Sequence, residues 1–128
     1  MMARAAPNMA LCGIAATSAS AVVGSHILAM YAPAALLGPL ARRLGSGKTT
    51  VAGLTLVVGA LLAVARATSA YQFEASMALA GCGWSLTMMG ATISLHRDGA
   101  PSRSLLAVHD GALFAAALAG ALAAYQIA

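Results

Sequence analysis

Residues 75–96 read ASMALAGCGWSLTMMGATISLH, twenty-two residues in a row without a Lys, Arg, Asp or Glu. About 20 mostly apolar residues cross a hydrocarbon core of roughly 30 Å as a helix, because each residue rises about 1.5 Å and every backbone polar group finds its partner inside the helix. The stretch therefore predicts a transmembrane helix over residues 72–95.

Three more stretches of the chain lack charged side chains, at residues 5–41, 49–65 and 111–128. They predict further membrane-spanning helices at about 18–41, 49–67 and 104–126. No linker divides the chain, so the prediction is a single all-α transmembrane domain over residues 1–128, a polytopic helix bundle of about four transmembrane helices. Residues 8–17 either join the first helix or fold back on the bundle.

The composition excludes most other classes of protein. Hydrophobic residues make up 61% of the chain and charged residues 8%, whereas a soluble domain carries about 25% charged residues to face water. The lipid bilayer is therefore the predicted partner of this surface. With three acidic residues and no cluster of ligands, the sequence predicts neither an enzyme nor a metal site, and no cofactor is expected.

The net charge of +4 indicates membrane topology and not nucleic-acid binding. Five of the seven Lys and Arg residues follow the first or the third predicted span. These five are Arg42, Arg43, Lys48, Arg97 and Arg103, and the other two are Arg4 and Arg66. Because Lys and Arg are retained on the cytoplasmic side during insertion, we expect both hairpin loops to be cytoplasmic and both termini external.

The first hairpin loop has a recognisable pattern of glycines and cations. Residues 38–48 read GPLARRLGSGK. The pattern consists of Gly38, Arg42, Arg43, Gly45 and Lys48. Glycines of this kind end helices, and cations favour the carboxyl ends of helices at the cytoplasmic face. Thr49 or Thr50 is expected to cap the start of the next helix.

This loop is similar to the signature of the major facilitator superfamily, G-x-L-a-D-R-x-G-r-k, with Arg42 at the position of the usual Asp. Residues 25–33, SHILAMYAP, are similar to the S-H-x-x-x-M-Y/F-x-P segment of a bacterial subgroup of that superfamily. Residues 81–92, followed by Asp110, resemble the G-x-G-W…G-x-T…D pattern of the same subgroup. The three matches cover roughly residues 20–112.

The resemblance implies a secondary transporter of a small solute or drug-like compound in the bacterial cytoplasmic (inner) membrane. The four spans would correspond to helices eight to eleven, in the C-terminal half of such a transporter. In the family, a gating ion pair is attributed to the Asp of this signature. Because Arg42 occupies that position here, the chain lacks the carboxylate for such a pair. Because alternating access moves two six-helix lobes against each other, the chain is expected to be a fragment that needs further helices or a second copy.

Three side chains inside the spans are candidates for the substrate or proton pathway. His26 could relay protons or bind the solute, or it could form a hydrogen bond to a neighbouring helix. Asp110 is costly in lipid unless it is paired or hydrated, so it is a candidate for proton coupling. The alternatives are that its side chain reaches the cytoplasmic interface or pairs with Arg103 on the same helix. Trp84, near the middle of its span, either contacts the solute or packs between helices.

Two other functions stay open at this point. One is an autonomous four-helix transporter that acts as a dimer, like the small multidrug-resistance proteins. Those proteins use an essential Glu in the first helix, where this chain offers only His26. The other is a membrane subunit without transport activity of its own.

Overall fold

The computed structural model of the chain describes residues 9–11, 13 and 15–126, and within these ranges the regular structure is entirely helical. Four long helices follow one another along the chain. They are α1 (Ala16–Leu44), α2 (Ser46–Val64), α3 (Ala70–Leu95) and α4 (Arg103–Gln126). The predicted all-α architecture is confirmed, and each predicted span corresponds to one helix.

Three of these helices are long and apolar enough to cross a membrane among the residues described. The spans are Ser20–Leu44, Ser46–Val64 and Ala70–Leu95, with 25, 19 and 26 residues. Even the shortest covers roughly 28 Å at about 1.5 Å per residue, close to the thickness of a hydrocarbon core. A helical membrane bundle is therefore the fold of this chain, and a membrane-spanning role of α4 stays a prediction.

A single residue, Gly45, joins α1 to α2. Its backbone has φ +84° and ψ 160°, a region essentially restricted to glycine. The Gly45 N–H donates a hydrogen bond to the Ala41 carbonyl at 3.0 Å. The chain thus reverses direction within one residue, as the glycine of the loop pattern predicts.

Thr49 supports this turn in a way that differs from the prediction. Its hydroxyl donates to the carbonyls of Gly45 at 2.9 Å and Ala41 at 3.3 Å, and no side chain caps the start of α2. The expected cap by Thr49 or Thr50 is therefore wrong. Thr49 instead adds a side-chain hydrogen bond to each of two carbonyls at the turn, which also accept backbone hydrogen bonds from Gly45 and Thr49.

A capping box begins α3. The Ser69 hydroxyl accepts from the Gln72 N–H at 3.3 Å, and the Gln72 side-chain oxygen accepts from the Ser69 N–H at 3.2 Å. Two N–H groups that the helix itself cannot satisfy gain partners in this way. The pair places the start of α3 two residues before the predicted span.

Helix α3 lies between α1 and α2 and packs on both, whereas α1 and α2 contact each other little. Three glycines of α3 allow this close approach. A side chain at Gly81 would collide with α1, at the His26 carbonyl, and side chains at Gly83 and Gly90 would collide with α2. Helices in lipid associate through small residues in this way, because burial of apolar surface gains little there.

Residues 9–11 do not continue α1. Gly13, with φ +71°, lies in a turn that separates them from the helix, which begins at Ala16. Met9 is 1% exposed and packs in an apolar cluster with Val22, Phe73 and Met77. The segment therefore folds back on the end of the bundle where α2 is joined to α3.

The fourth helix stands apart from the other three. In the part of the chain that the structure describes, α4 does not pack closely on α1, α2 or α3, and only its start, at Leu105 and His109, lines a cavity with the end of α3. Its large apolar side chains Val108, Phe114, Leu118 and Leu122 are exposed. Many large apolar side chains of α1 and α2 are also exposed, as expected for a surface that faces lipid or further helices.

Candidate functional site

A groove of about 470 Å³ runs between α1 and α3. Its walls combine aromatic, thioether and small side chains with a few polar groups. The lining residues are Met30, Tyr31, Ala34, Gly38 and Arg42 from α1, and Trp84, Ser85, Met88, Met89, Thr92 and Ile93 from α3. A space of this size lies within the range of small-molecule sites in proteins, about 300–1,000 Å³.

The spacing of the lining residues explains why they share one groove. On α1 they recur every three or four residues from Met30 to Arg42, and on α3 they recur in the same way from Trp84 to Ile93. Such positions lie on one face of a helix. Gly81, one turn before Ser85, brings the two helices together, and the small residues Ala34 and Gly38 leave the space open.

Polar groups occupy two levels of the groove. Near the middle of the spans, Trp84 is 40% exposed and Tyr31 is 70% exposed. Ser85, beside Trp84, is 3% exposed, and its hydroxyl has no hydrogen-bond partner among the described residues. Arg42 lies at the end of the groove next to the Gly45 turn.

His26 lies outside the groove, in the contact between α1 and α3. Its Nδ1 is 2.7 Å from the Met77 carbonyl oxygen, and because a carbonyl can only accept, the ring donates this hydrogen bond. The side chain is 8% exposed. His26 therefore joins two helices directly through a side chain and a backbone carbonyl.

His26→Leu should lower the free energy of unfolding by about 2 kcal/mol, because it removes a buried hydrogen bond between helices. Ser25→Ala is the matched control, since the Ser25 hydroxyl donates only to the Val22 carbonyl of its own helix; we expect a change below about 0.5 kcal/mol. Unfolding of the full chain in mixed micelles measures both. Equal losses for the two variants would contradict this role of His26.

Asp110 lies on α4 and is far from enclosed, with its side chain 77% exposed. His109 Nδ1 donates a hydrogen bond to Asp110 Oδ1 at 3.1 Å, and no Lys or Arg pairs with Asp110 among the described residues. The alternative pairing with Arg103 does not occur there. The structure thus places Trp84 in the groove, His26 in the contact between α1 and α3 outside the groove, and Asp110 on α4. It does not bring the three candidates together.

The residues of the loop pattern divide between two sites. Gly38 and Arg42 line the groove, and Gly45 makes the turn. Lys48 lines a second cavity of about 430 Å³ together with Arg97, while Arg43 is exposed. Because Lys48 and Arg97 belong to different hairpin loops, both loops lie at the same end of the bundle, as the distribution of cations predicts.

Sequence reasoning missed Tyr31 and Ser85 as site residues. A usable signal was present, since Trp84, Met88 and Thr92 recur every four residues and predict one helix face. The described residues contain no group of three or more His, Cys, Asp or Glu side chains that could hold a metal ion.

Comparison with known proteins identifies a similar transporter. The riboflavin transporter of Brucella anthropi is 33% identical to this chain over 67 residues, which are 52% of this chain and 17% of that transporter. No protein-family model matches the chain, and no solved structure matches it. The chain is therefore a transporter-like membrane protein. The aligned region covers less than a fifth of the relative's length.

Proposed function

We propose that the chain is part of a secondary transporter that moves a small solute through a membrane, related to the major facilitator superfamily. The similarity to a riboflavin transporter supports the transport class. The Gly45 turn with cations on both sides supports the superfamily, because it matches the loop signature. In this proposal the membrane is the bacterial cytoplasmic (inner) membrane and the two hairpin loops face the cytoplasm.

The groove between α1 and α3 is the observation that carries the proposal. A tryptophan near the middle of a span, with 40% of its surface exposed, is placed to contact a solute that crosses the bilayer. Transporters bind solutes near the bilayer midplane between helices. We place the solute at Trp84 and Tyr31, with Ser85 beneath it.

Further helices complete this site in our proposal. The groove opens to one side of the bundle, and α4 does not cover it, since α4 does not pack closely on the other helices in the described part of the chain. Helices from a larger transporter, or from a second copy, would close the groove against lipid. His26 supports the bundle in this scheme, and Asp110 stays a proton-pathway candidate on α4.

Uptake by membrane vesicles tests the proposal. Vesicles are prepared from cells that carry the gene at its native locus, so that any additional helices are present. Mass spectrometry then measures the solutes taken up from a defined mixture that contains riboflavin, the compound named for the relative. We expect deletion of the gene to abolish uptake of at least one solute.

Trp84→Leu should slow that uptake at least tenfold, which corresponds to about 1.4 kcal/mol of lost binding or transition-state stabilisation. Phe114→Leu on α4 is the matched control, because Phe114 is an exposed aromatic residue outside the groove, and it should change uptake less than twofold. Unchanged uptake of every solute after deletion would refute transport. Equal effects of the two variants would refute the site.

A further inference from the structure

The middle of the groove offers aromatic ring surface from both helices. Tyr31 on α1 and Trp84 on α3 line the same space, and neither side chain makes a hydrogen bond within the described residues. Met30, Met88 and Met89 surround them. Aromatic rings stack on flat ligands, and thioether side chains adapt their shape and make favourable contacts with rings. This part of the groove therefore suits a planar aromatic group.

The end of the groove offers a positive charge without a partner. Arg42 lines the groove and forms no ion pair with any residue that the structure describes. The lining contains no Asp or Glu, so no described residue of the groove supplies a carboxylate to this guanidinium, which belongs to an exposed side chain. A charge-assisted hydrogen bond from Arg to an oxyanion is among the stronger polar contacts in proteins.

The spacing of these two parts limits the length of a ligand. Arg42 follows Tyr31 by three helical turns, which is about 16 Å along α1 at about 1.5 Å per residue. The arginine side chain spans part of that distance, and Thr92 lines the groove between the two levels. A fused ring system with a short acidic substituent matches both the length and the polarity.

We propose that the groove binds a planar aromatic anion, with its rings between Tyr31 and Trp84 and its oxyanion at Arg42. The proposal rests on the proposed transport function and names the chemical class of the solute. Ser85 also lines the groove beside Trp84, but its hydroxyl is enclosed, so the ring surfaces and Arg42 carry the recognition. A lipid chain would not use the ring surfaces.

Calorimetric titration of the full chain in phosphatidylcholine nanodiscs tests the class. Three probes separate its two requirements: 2-naphthoate has rings and charge, 2-naphthalenemethanol has rings alone, and cyclohexanecarboxylate has charge alone. After subtraction of empty nanodiscs, we expect 2-naphthoate to bind one per chain and at least tenfold more tightly than either other probe. Equal binding of cyclohexanecarboxylate would indicate a general anion site, such as one for a lipid headgroup, and would overturn the proposal.

Arg42→Gln and its neighbour Arg43→Gln form the matched pair of variants, because both arginines are exposed but only Arg42 lines the groove. Arg42→Gln should weaken 2-naphthoate at least tenfold and leave 2-naphthalenemethanol within twofold. Arg43→Gln should change neither by more than twofold. Equal losses in the two variants would show a surface-charge effect only and would overturn the placement of the oxyanion.

The outcomes distinguish this proposal from the transport function. Absence of 2-naphthoate binding, together with solute uptake that depends on Trp84, would refute the aromatic anion and leave transport in place. Specific 2-naphthoate binding that depends on Arg42, together with unchanged uptake after gene deletion, would refute transport and leave a binding site for this class of ligand.

Discussion

Gly53→Ala is expected to lower the free energy of unfolding of the full chain by about 2 kcal/mol, the middle of the range for overpacked sites. A Cβ atom at Gly53 would lie 2.5 Å from the Thr87 backbone nitrogen and 2.6 Å from the Gly83 carbonyl oxygen. Both atoms belong to the backbone of α3 and cannot move aside without separating the helices. Unfolding in mixed micelles, followed by circular dichroism, measures the loss.

Gly59→Ala is the control for this variant. Gly59 lies on the same helix, and a Cβ atom there would meet no heavy atom within 4 Å. Alanine has a higher helix propensity than glycine by up to about 1 kcal/mol, so we expect Gly59→Ala to be neutral or stabilising. Destabilisation of similar size in both variants would mean that α2 and α3 do not pack at Gly53.

Gly81→Ala should have an effect of similar size, about 2 kcal/mol, and should also remove ligand binding. A Cβ atom at this position would lie 2.5 Å from the His26 carbonyl oxygen and 2.9 Å from the Ala29 Cβ atom. The substitution pushes α1 away from α3, stretches the hydrogen bond from His26 to Met77, and widens the groove one turn further along. Unfolding and 2-naphthoate titration of the same sample measure the two effects.

Gly24→Ala, on the partner helix α1, is the control for Gly81→Ala. A Cβ atom at Gly24 would have no heavy atom within 4 Å, and Gly24 does not line the groove. We expect unchanged binding and unchanged or higher stability. Normal 2-naphthoate binding in Gly81→Ala would contradict the view that this contact sets the width of the groove.

Much of the fold could be predicted because charge is so unevenly distributed along the chain. The span predicted at 72–95 from the uncharged stretch lies within α3, which begins two residues earlier at Ala70 and ends at Leu95. The start of α2 was predicted at residue 49 and lies at Ser46. The predicted start was three residues too late because the prediction assumed a turn of several residues, whereas Gly45 completes the turn alone.

The site was harder to predict for a physical reason. Helices that are apolar on every side show no face that must turn inward, so the sequence does not say which residues of α1 and α3 meet. Trp84, Gly38 and Arg42 were singled out and do line one groove. For His26, a hydrogen bond to a neighbouring helix was one of the two alternatives, but its partner, the Met77 carbonyl, depends on a close helix crossing that only the three-dimensional arrangement reveals.

The one-residue connection between α1 and α2 also bears on biosynthesis. With Gly45 alone between the two helices, neither segment can leave the insertion machinery far ahead of the other. We expect them to enter the bilayer together as a helical hairpin, with Arg42, Arg43 and Lys48 at its tip. The longer connection before α4, residues 96–102, places no such constraint on that helix.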